Sequence, residues 1–186
     1  MNLPNKLSLL RMCMIPFFVV FALIEEPWAQ IVALLIFVIA SLTDMLDGKI
    51  ARKYNLVTNF GKFIDPIADK LLVMSALIVL VEQGRMPGWV CILMLAREFL
   101  ISGFRLVAAD SGKVFAAGWL VKIKTVLQMA AVIALFLLTP ASVGAEPFFG
   151  DIGVIIANVI MYAAALMTVW SGADYIIKNF NCISDF

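Results

Sequence analysis

The chain has 186 residues, 63% of them apolar and only 15% charged, with a mean hydropathy of +1.03. That balance excludes an ordinary water-soluble domain and points to an integral membrane protein. A net charge of +1 creates no field toward nucleic acid or acidic partners, and the absence of histidine removes the usual general base and the usual zinc ligand.

Apolar runs predict helices near 7–25, 28–53, 62–83, 88–109, 117–139 and 152–177. A hydrocarbon core of ~30 Å takes about 20 such residues per crossing. The expected fold is therefore an all-α integral membrane protein, a six-transmembrane-helix bundle forming a single domain over residues 1–186. In the first run, Lys6 and Arg11 precede Met12 to Ile24, as in a signal peptide. The run ends in Glu25-Glu26-Pro27 without a small-x-small cleavage site, so a retained first helix is expected. Further breaks fall at Glu82 to Pro87 and across Thr139 to Asp151, where Pro and Gly interrupt helical patterning. Cys13, Cys91 and Cys182 form no C-x-x-C pair and read as packing residues.

Of the 14 basic residues, only Arg85 falls among the breaks on one side. The others belong to the termini, the 2–3 and 4–5 connections, or the helix ends beside them. Positive charge is retained on the cytoplasmic face of multi-pass proteins. Both termini and the 2–3 connection are thus expected at the cytoplasmic side of the inner membrane.

That connection is flanked by carboxylates. Asp44, Asp47, Gly48 and Ala51 are spaced i, i+3, i+4, i+7 at the end of the second helix, so they share a face. Gly61, Asp65 and Asp69 are spaced i, i+4, i+8 at the start of the third, and Pro66 falls in an early turn, where a missing N–H costs little. Four carboxylates converging near hydrocarbon cannot all remain ionised without a compensating cation. Simple pairing with Lys49, Arg52, Lys62 and Lys70 would balance charge but leaves the two matched faces with their glycines unexplained. Hard oxygen donors without His or thiolate point to Mg²⁺ or Mn²⁺, with Ca²⁺ as a look-alike, held as a metal site at the cytoplasmic end of helices 2 and 3. Two such ions can clamp a pyrophosphate for in-line displacement. Arg52 is placed to bind phosphate oxygens, and Asp69 to take a proton from an attacking hydroxyl.

The string D-x2-D-G-x2-A-R-x8-G-x3-D-x3-D, with all eight fixed positions filled over 26 residues, resembles the signature of the CDP-alcohol phosphotransferases. The resemblance implies six transmembrane helices around a site open to the cytoplasm, and transfer of a phosphoryl-containing group from a CDP-linked donor to an alcohol with loss of CMP. It implies that Asp44, Asp47, Asp65 and Asp69 bind two metal ions and that Asp69 is also the base. It further implies CDP-diacylglycerol contacts from Gly48, Ala51, Arg52, Thr58 and Gly61, and from Asn5 and Ser8, where Ser8 replaces the commoner threonine. A homodimer is compatible with the family.

Several further segments are similar to family members that join CDP-diacylglycerol to sn-glycerol 3-phosphate: Pro4 to Arg11, Asp65 to Lys70, Ala96-Arg97-Glu98 with Arg105, and Lys122-Ile123-Lys124-Thr125 with Gln128. Val121 stands where that pattern leads one to expect glycine. Arg97 and Arg105 lie eight apart on one helix face while Lys122 and Lys124 open the next helix, and together they suit a dianionic phosphate. Interfacial anchoring, pairing with Glu98 and Asp110, or contact with anionic membrane lipids would also occupy such cations. Other acceptors (inositol phosphate, serine, phosphatidylglycerol) keep the same chemistry. Aspartate-rich membrane prenyltransferases share metal and pyrophosphate but not the Gly48, Ala51, Arg52 spacing. A cation transporter would use the carboxylates as a path lining, and gives those three positions no role.

Overall fold

A computed structural model of the chain describes residues 3–53, 59–110, 118–139 and 149–179; side chains are described except at 3–6, 44–53, 59–66, 69, 109 and 110. Six helices follow one another: α1 (Leu3–Leu23), α2 (Pro27–Lys53), α3 (Asn59–Glu82), α4 (Gly88–Asp110), α5 (Trp119–Leu138) and α6 (Gly150–Lys178). All regular structure among the described residues is helical. The first helix expected from the sequence, near 7–25, begins four residues later than α1, whose opening turn takes in Pro4. In a first turn, proline gives up only an N–H that has no helical partner anyway. Pro16, inside α1 and exposed, interrupts the backbone ladder without ending the helix.

The bundle's polarity is reversed relative to a soluble protein. Large apolar side chains such as Phe17, Leu35, Ile39, Ile92, Phe99, Val126 and Leu166 point outward, while Arg11, Gln30, Arg97, Lys124, Gln128 and Ser171 are buried. Lipid offers no advantage to burying an apolar side chain over exposing it, but penalises an exposed polar one. This distribution belongs to a membrane protein. α5 and α6 are long and apolar enough to cross a bilayer; the apolar stretches Leu7–Leu23 and Pro27–Thr43 are shorter.

Small residues set how closely the helices approach. On α2, Ala29, Ala33, Phe37 and Ala40 are fully buried at spacings of four and three; on α6, Ala157, Met161, Ala164, Thr168, Ser171 and Tyr175 repeat the pattern. Phe18 of α1 fills the centre, its ring 5.8 Å from both Phe37 and Phe136 of α5. α1 packs on α2 and α3, α5 on α6, and α4 chiefly on α6. Cys91 joins the core, whereas Cys13 faces outward.

At the end of the bundle away from the aspartates, backbone satisfaction explains the turns. Gln30 Nε2 donates to the carbonyls of Ala22 (2.7 Å) and Ile24 (2.8 Å), and Gln83 Nε2 also reaches Ala22 O, capping α1 carbonyls that have no helical partner. α3 ends in a Schellman turn. Gly84 takes φ +69°, Arg85 N donates to Leu80 O at 2.9 Å and Gly84 N to Val81 O at 3.0 Å.

Arg85, in that turn, folds its guanidinium over the Phe136 ring, 5.7 Å from the centroid. It is only 8% exposed, and none of its three side-chain nitrogens has a hydrogen-bond partner among the described residues. Burial pushes its pKa down to about 10, below the usual guanidinium range. It remains charged at neutral pH and costs stability there, a cost relieved only as pH rises above about 10. Arg85→Met should therefore leave the thermal midpoint in detergent unchanged or raise it. A loss worth about 2 kcal/mol or more would mean that the guanidinium makes a net favourable contact.

Candidate active site

The motif residues occupy two helix ends joined by a short connection. Asp44, Asp47, Gly48, Ala51 and Arg52 are on the last turns of α2; Gly61, Asp65 and Asp69 are on the first turns of α3. Both stretches are continuous helix, so the spacings that require 3.6-residue periodicity have it. The two helices touch. The side chains of these residues, and Thr58 altogether, lie outside the described residues, as does the side chain of Asn5. Ser8 is described, on the inner face of α1 at 1% exposure. Arg11, one turn further along, is equally buried.

Beside this pair of helix ends lies a cavity of about 310 Å³ between α2, α3, α4 and α5. Its polar lining is Ser41, one turn before Asp44; Lys70, next to Asp69; and Glu98, Lys124, Thr125 and Gln128. Lys124 is 2% exposed and forms an ion pair with Glu98, while Arg97 Nη1 lies 3.6 Å from the same carboxylate oxygen. Lys70 Nζ donates to Ser102 Oγ, which donates in turn to Glu98 O at 2.6 Å. Glu98 thus gathers cations from two helices, and Ser102 ties α3 to α4.

Of the four cations expected at an acceptor phosphate, three come together and one does not. Arg97 Nη2 donates to Ser171 Oγ of α6 at 3.1 Å, and Arg105 Cζ sits 5.4 Å from the centre of the Tyr175 ring. Lys122 is exposed, its ammonium over the Trp119 ring at 4.9 Å. The reason is angular: α5 begins at Trp119, so both lysines are within regular helix, where residues two apart point about 200° from each other. Only one of them can face inward. The sequence reading also passed over Ser171 and Tyr175, which sit in an apolar run and look like packing, and took Glu98 only as an ion-pair partner.

The arrangement comprises helix ends rich in carboxylates, a polar cavity between helices and a set of inward-facing cations in the same half, which suits a membrane protein that handles anionic groups. Comparison with known proteins agrees and is more specific. The CDP-alcohol phosphatidyltransferase family matches residues 1–170. A CDP-diacylglycerol–glycerol-3-phosphate 3-phosphatidyltransferase of Bacillus subtilis is 43% identical, covering 98% of this chain and 97% of that one. Its counterpart in Rickettsia bellii is 42% identical over 94% and 93%. A probable phosphatidylglycerophosphate synthase of Mycobacterium tuberculosis is 42% identical over 95% and 81%. The chain belongs to the CDP-alcohol phosphatidyltransferase family.

The Glu98–Lys124 pair offers a test of how the buried cations are held. Glu98→Ala removes the carboxylate that Lys124 and Arg97 share, so thermal stability should fall by about 3 kcal/mol or more. The double variant Glu98→Leu, Lys124→Met should recover most of it. Equal losses in single and double variants would show that the pair is not the source.

Proposed function

We propose that this protein transfers the phosphatidyl group of CDP-diacylglycerol to the hydroxyl of sn-glycerol 3-phosphate, releasing CMP and forming phosphatidylglycerophosphate. The observation that carries the reading is the cluster of buried Arg97 and Lys124 with half-buried Arg105 on α4 and α5, in a chain similar over nearly its whole length to enzymes named for that reaction. A neutral acceptor such as serine has no use for so many buried cations, because each costs desolvation that only an anion repays.

In this reading the chain crosses the inner membrane six times, with both termini and the site at the cytoplasmic face. The placement of the basic residues supports that orientation, and so does the burial of Arg85, the exception. The acyl chains stay in the bilayer and the donor enters sideways between helices. Asp44, Asp47, Asp65 and Asp69 offer only carboxylate oxygens on two touching helices, a donor set that fits Mg²⁺ or Mn²⁺. Two such ions, when bound, would neutralise the pyrophosphate and stabilise the departing CMP oxygen. Arg52, with Gly48, Ala51, Gly61, Thr58, Asn5 and Ser8, holds the CDP moiety. Glycine at 48 and 61 leaves room for close approach. Arg97, Arg105 and Lys124 hold the acceptor's phosphate, presenting its free hydroxyl to the donor's β-phosphorus. Asp69 accepts the hydroxyl proton as the new P–O bond forms and the bond to CMP breaks.

The deciding experiment supplies purified protein with labelled CDP-diacylglycerol and a panel of acceptors in detergent. Glycerol 3-phosphate should give a labelled phospholipid and equimolar CMP, with activity lost on chelation and restored by Mg²⁺ or Mn²⁺. Faster turnover with inositol phosphate, serine or phosphatidylglycerol would overturn the acceptor assignment. Asp69→Asn should keep CDP-diacylglycerol binding and lose about 100-fold or more in turnover; near-normal turnover would remove Asp69 from the role of base.

A further inference from the structure

The side of α4 that faces α6 holds more hydrogen-bonding capacity than it uses. Arg97 Nε, Arg105 Nε and one Arg105 Nη, and the Tyr175 hydroxyl are all buried without hydrogen-bond partners among the described residues. Tyr175 is 5% exposed and Arg97 9%. Buried donors left unsatisfied are costly and uncommon, and here they are gathered between two helices in fixed register. α4 and α6 run in the same direction: Trp89 stacks on Tyr162, Arg97 meets Ser171, and Phe104 meets Tyr175 edge-on at 5.7 Å. Gly172 belongs to the same construction, since a Cβ there would lie 3.1 Å from Arg97 Cγ. Ser171 and Tyr175 also line a cavity of about 180 Å³ at the ends of α5 and α6.

Charge narrows what would satisfy these donors. Among the described residues, Arg97, Arg105 and Lys124 gather at the carboxylate of Glu98, while Asp174 is paired with Lys178 at 2.8 Å. A phosphate monoester dianion suits such a gathering of cations. Its oxygens accept from guanidinium and phenol alike.

We propose that α6 completes the acceptor's phosphate site: the Tyr175 hydroxyl donates directly to a phosphate monoester dianion held by Arg97 and Arg105, and Ser171, with Gly172 beside it, positions the Arg97 guanidinium. Ser171 spends its own proton on Thr168 O, at 3.2 Å, and so acts by accepting from Arg97 rather than by binding phosphate. The proposal rests on the reading that the acceptor is itself a phosphate ester. It adds to that reading two residues beyond the stretch matched by the family, which ends at residue 170.

The test is steady-state kinetics on the full-length enzyme in mixed micelles. Tyr175→Phe removes only the hydroxyl and keeps the ring against Phe104 and Arg105. It should raise KM for glycerol 3-phosphate about tenfold or more, the usual consequence of losing one hydrogen bond to a charged group, with kcat within about twofold. KM for CDP-diacylglycerol and the thermal midpoint should stay at their wild-type values. Ser171→Ala should raise the same KM and Ser171→Thr, which keeps the oxygen, should restore it. Glycerol 3-phosphate alone should raise the wild-type thermal midpoint, and Tyr175→Phe should reduce that rise. Unchanged KM for glycerol 3-phosphate in both Tyr175→Phe and Ser171→Ala overturns the proposal, as does a rise confined to the CDP-diacylglycerol KM, or one that tracks the mole fraction of phosphatidic acid and so assigns the site to a lipid phosphate. If the wild-type enzyme itself prefers an acceptor lacking phosphate, the underlying functional reading fails instead, and the two failures are distinct.

Discussion

Glu98 is the carboxylate around which the inner half of the bundle is organised. It receives Lys124 from α5, stands 3.6 Å from Arg97 on its own helix, and through its backbone carbonyl accepts from Ser102, which in turn holds Lys70 of α3. Without it, Lys124 and Arg97 would lose the carboxylate they share, and their mutual repulsion would oppose the approach of α4 and α5. With it, the repulsion is reduced without being removed. An anion can still gain by entering, which a fully neutralised cluster would not allow.

The bundle thus divides its labour by charge type. The four motif aspartates lie on the last turns of α2 and the first turns of α3, Arg97, Arg105 and Lys124 gather around Glu98 on α4 and α5, and the 310 Å³ cavity lies between. This separation suits a reaction in which one partner is a diphosphate and the other carries a phosphate of its own. Two anions brought together repel, so each needs its own counter-charge, supplied from opposite sides of the space in which they meet. Rigid helices hold both sets, and the close packing permitted by Ala33, Ala40, Ala157 and Ala164 fixes their separation.

Much of this architecture is legible in the sequence because the punctuation is strong. Glu25-Glu26-Pro27 and Gln83-Gly84 end helices for reasons visible in composition, and Gly84 adopts the positive φ that its place after α3 requires. The spacing of the aspartates reads directly as two helix faces, and both stretches are helical. Burial is less legible. Arg11 and Arg85 read as charges that set topology, yet both are folded into the bundle. An arginine in an apolar sequence is the same letter whether it reaches for a head group or lies on a phenylalanine. Lys122 and Lys124 read as a pair because both fall in the opening turns of the fifth helix. Two residues apart on a helix, one must face out. Ser171 and Tyr175 are invisible as site residues for a related reason. Serine and tyrosine are ordinary components of an apolar helix, and only the register of α6 against α4 brings them to two guanidinium groups.

The use of a phenol and a hydroxyl on α6, rather than further cations, follows from the same balance. A further arginine on that face would add to the positive charge already gathered there, and the cluster would bind anions of many kinds while destabilising the empty bundle. Neutral donors add directionality without adding charge. A tyrosine hydroxyl left unpartnered costs less than an unpaired ammonium, yet it still prefers an oxyanion arriving along one direction. Selectivity for a phosphate ester over a carboxylate or sulfonate of similar size then comes from the arrangement of donors on two parallel helices, while the attraction itself comes from the arginines. In this division, α4 determines how tightly an anion is held and α6 which anion fits.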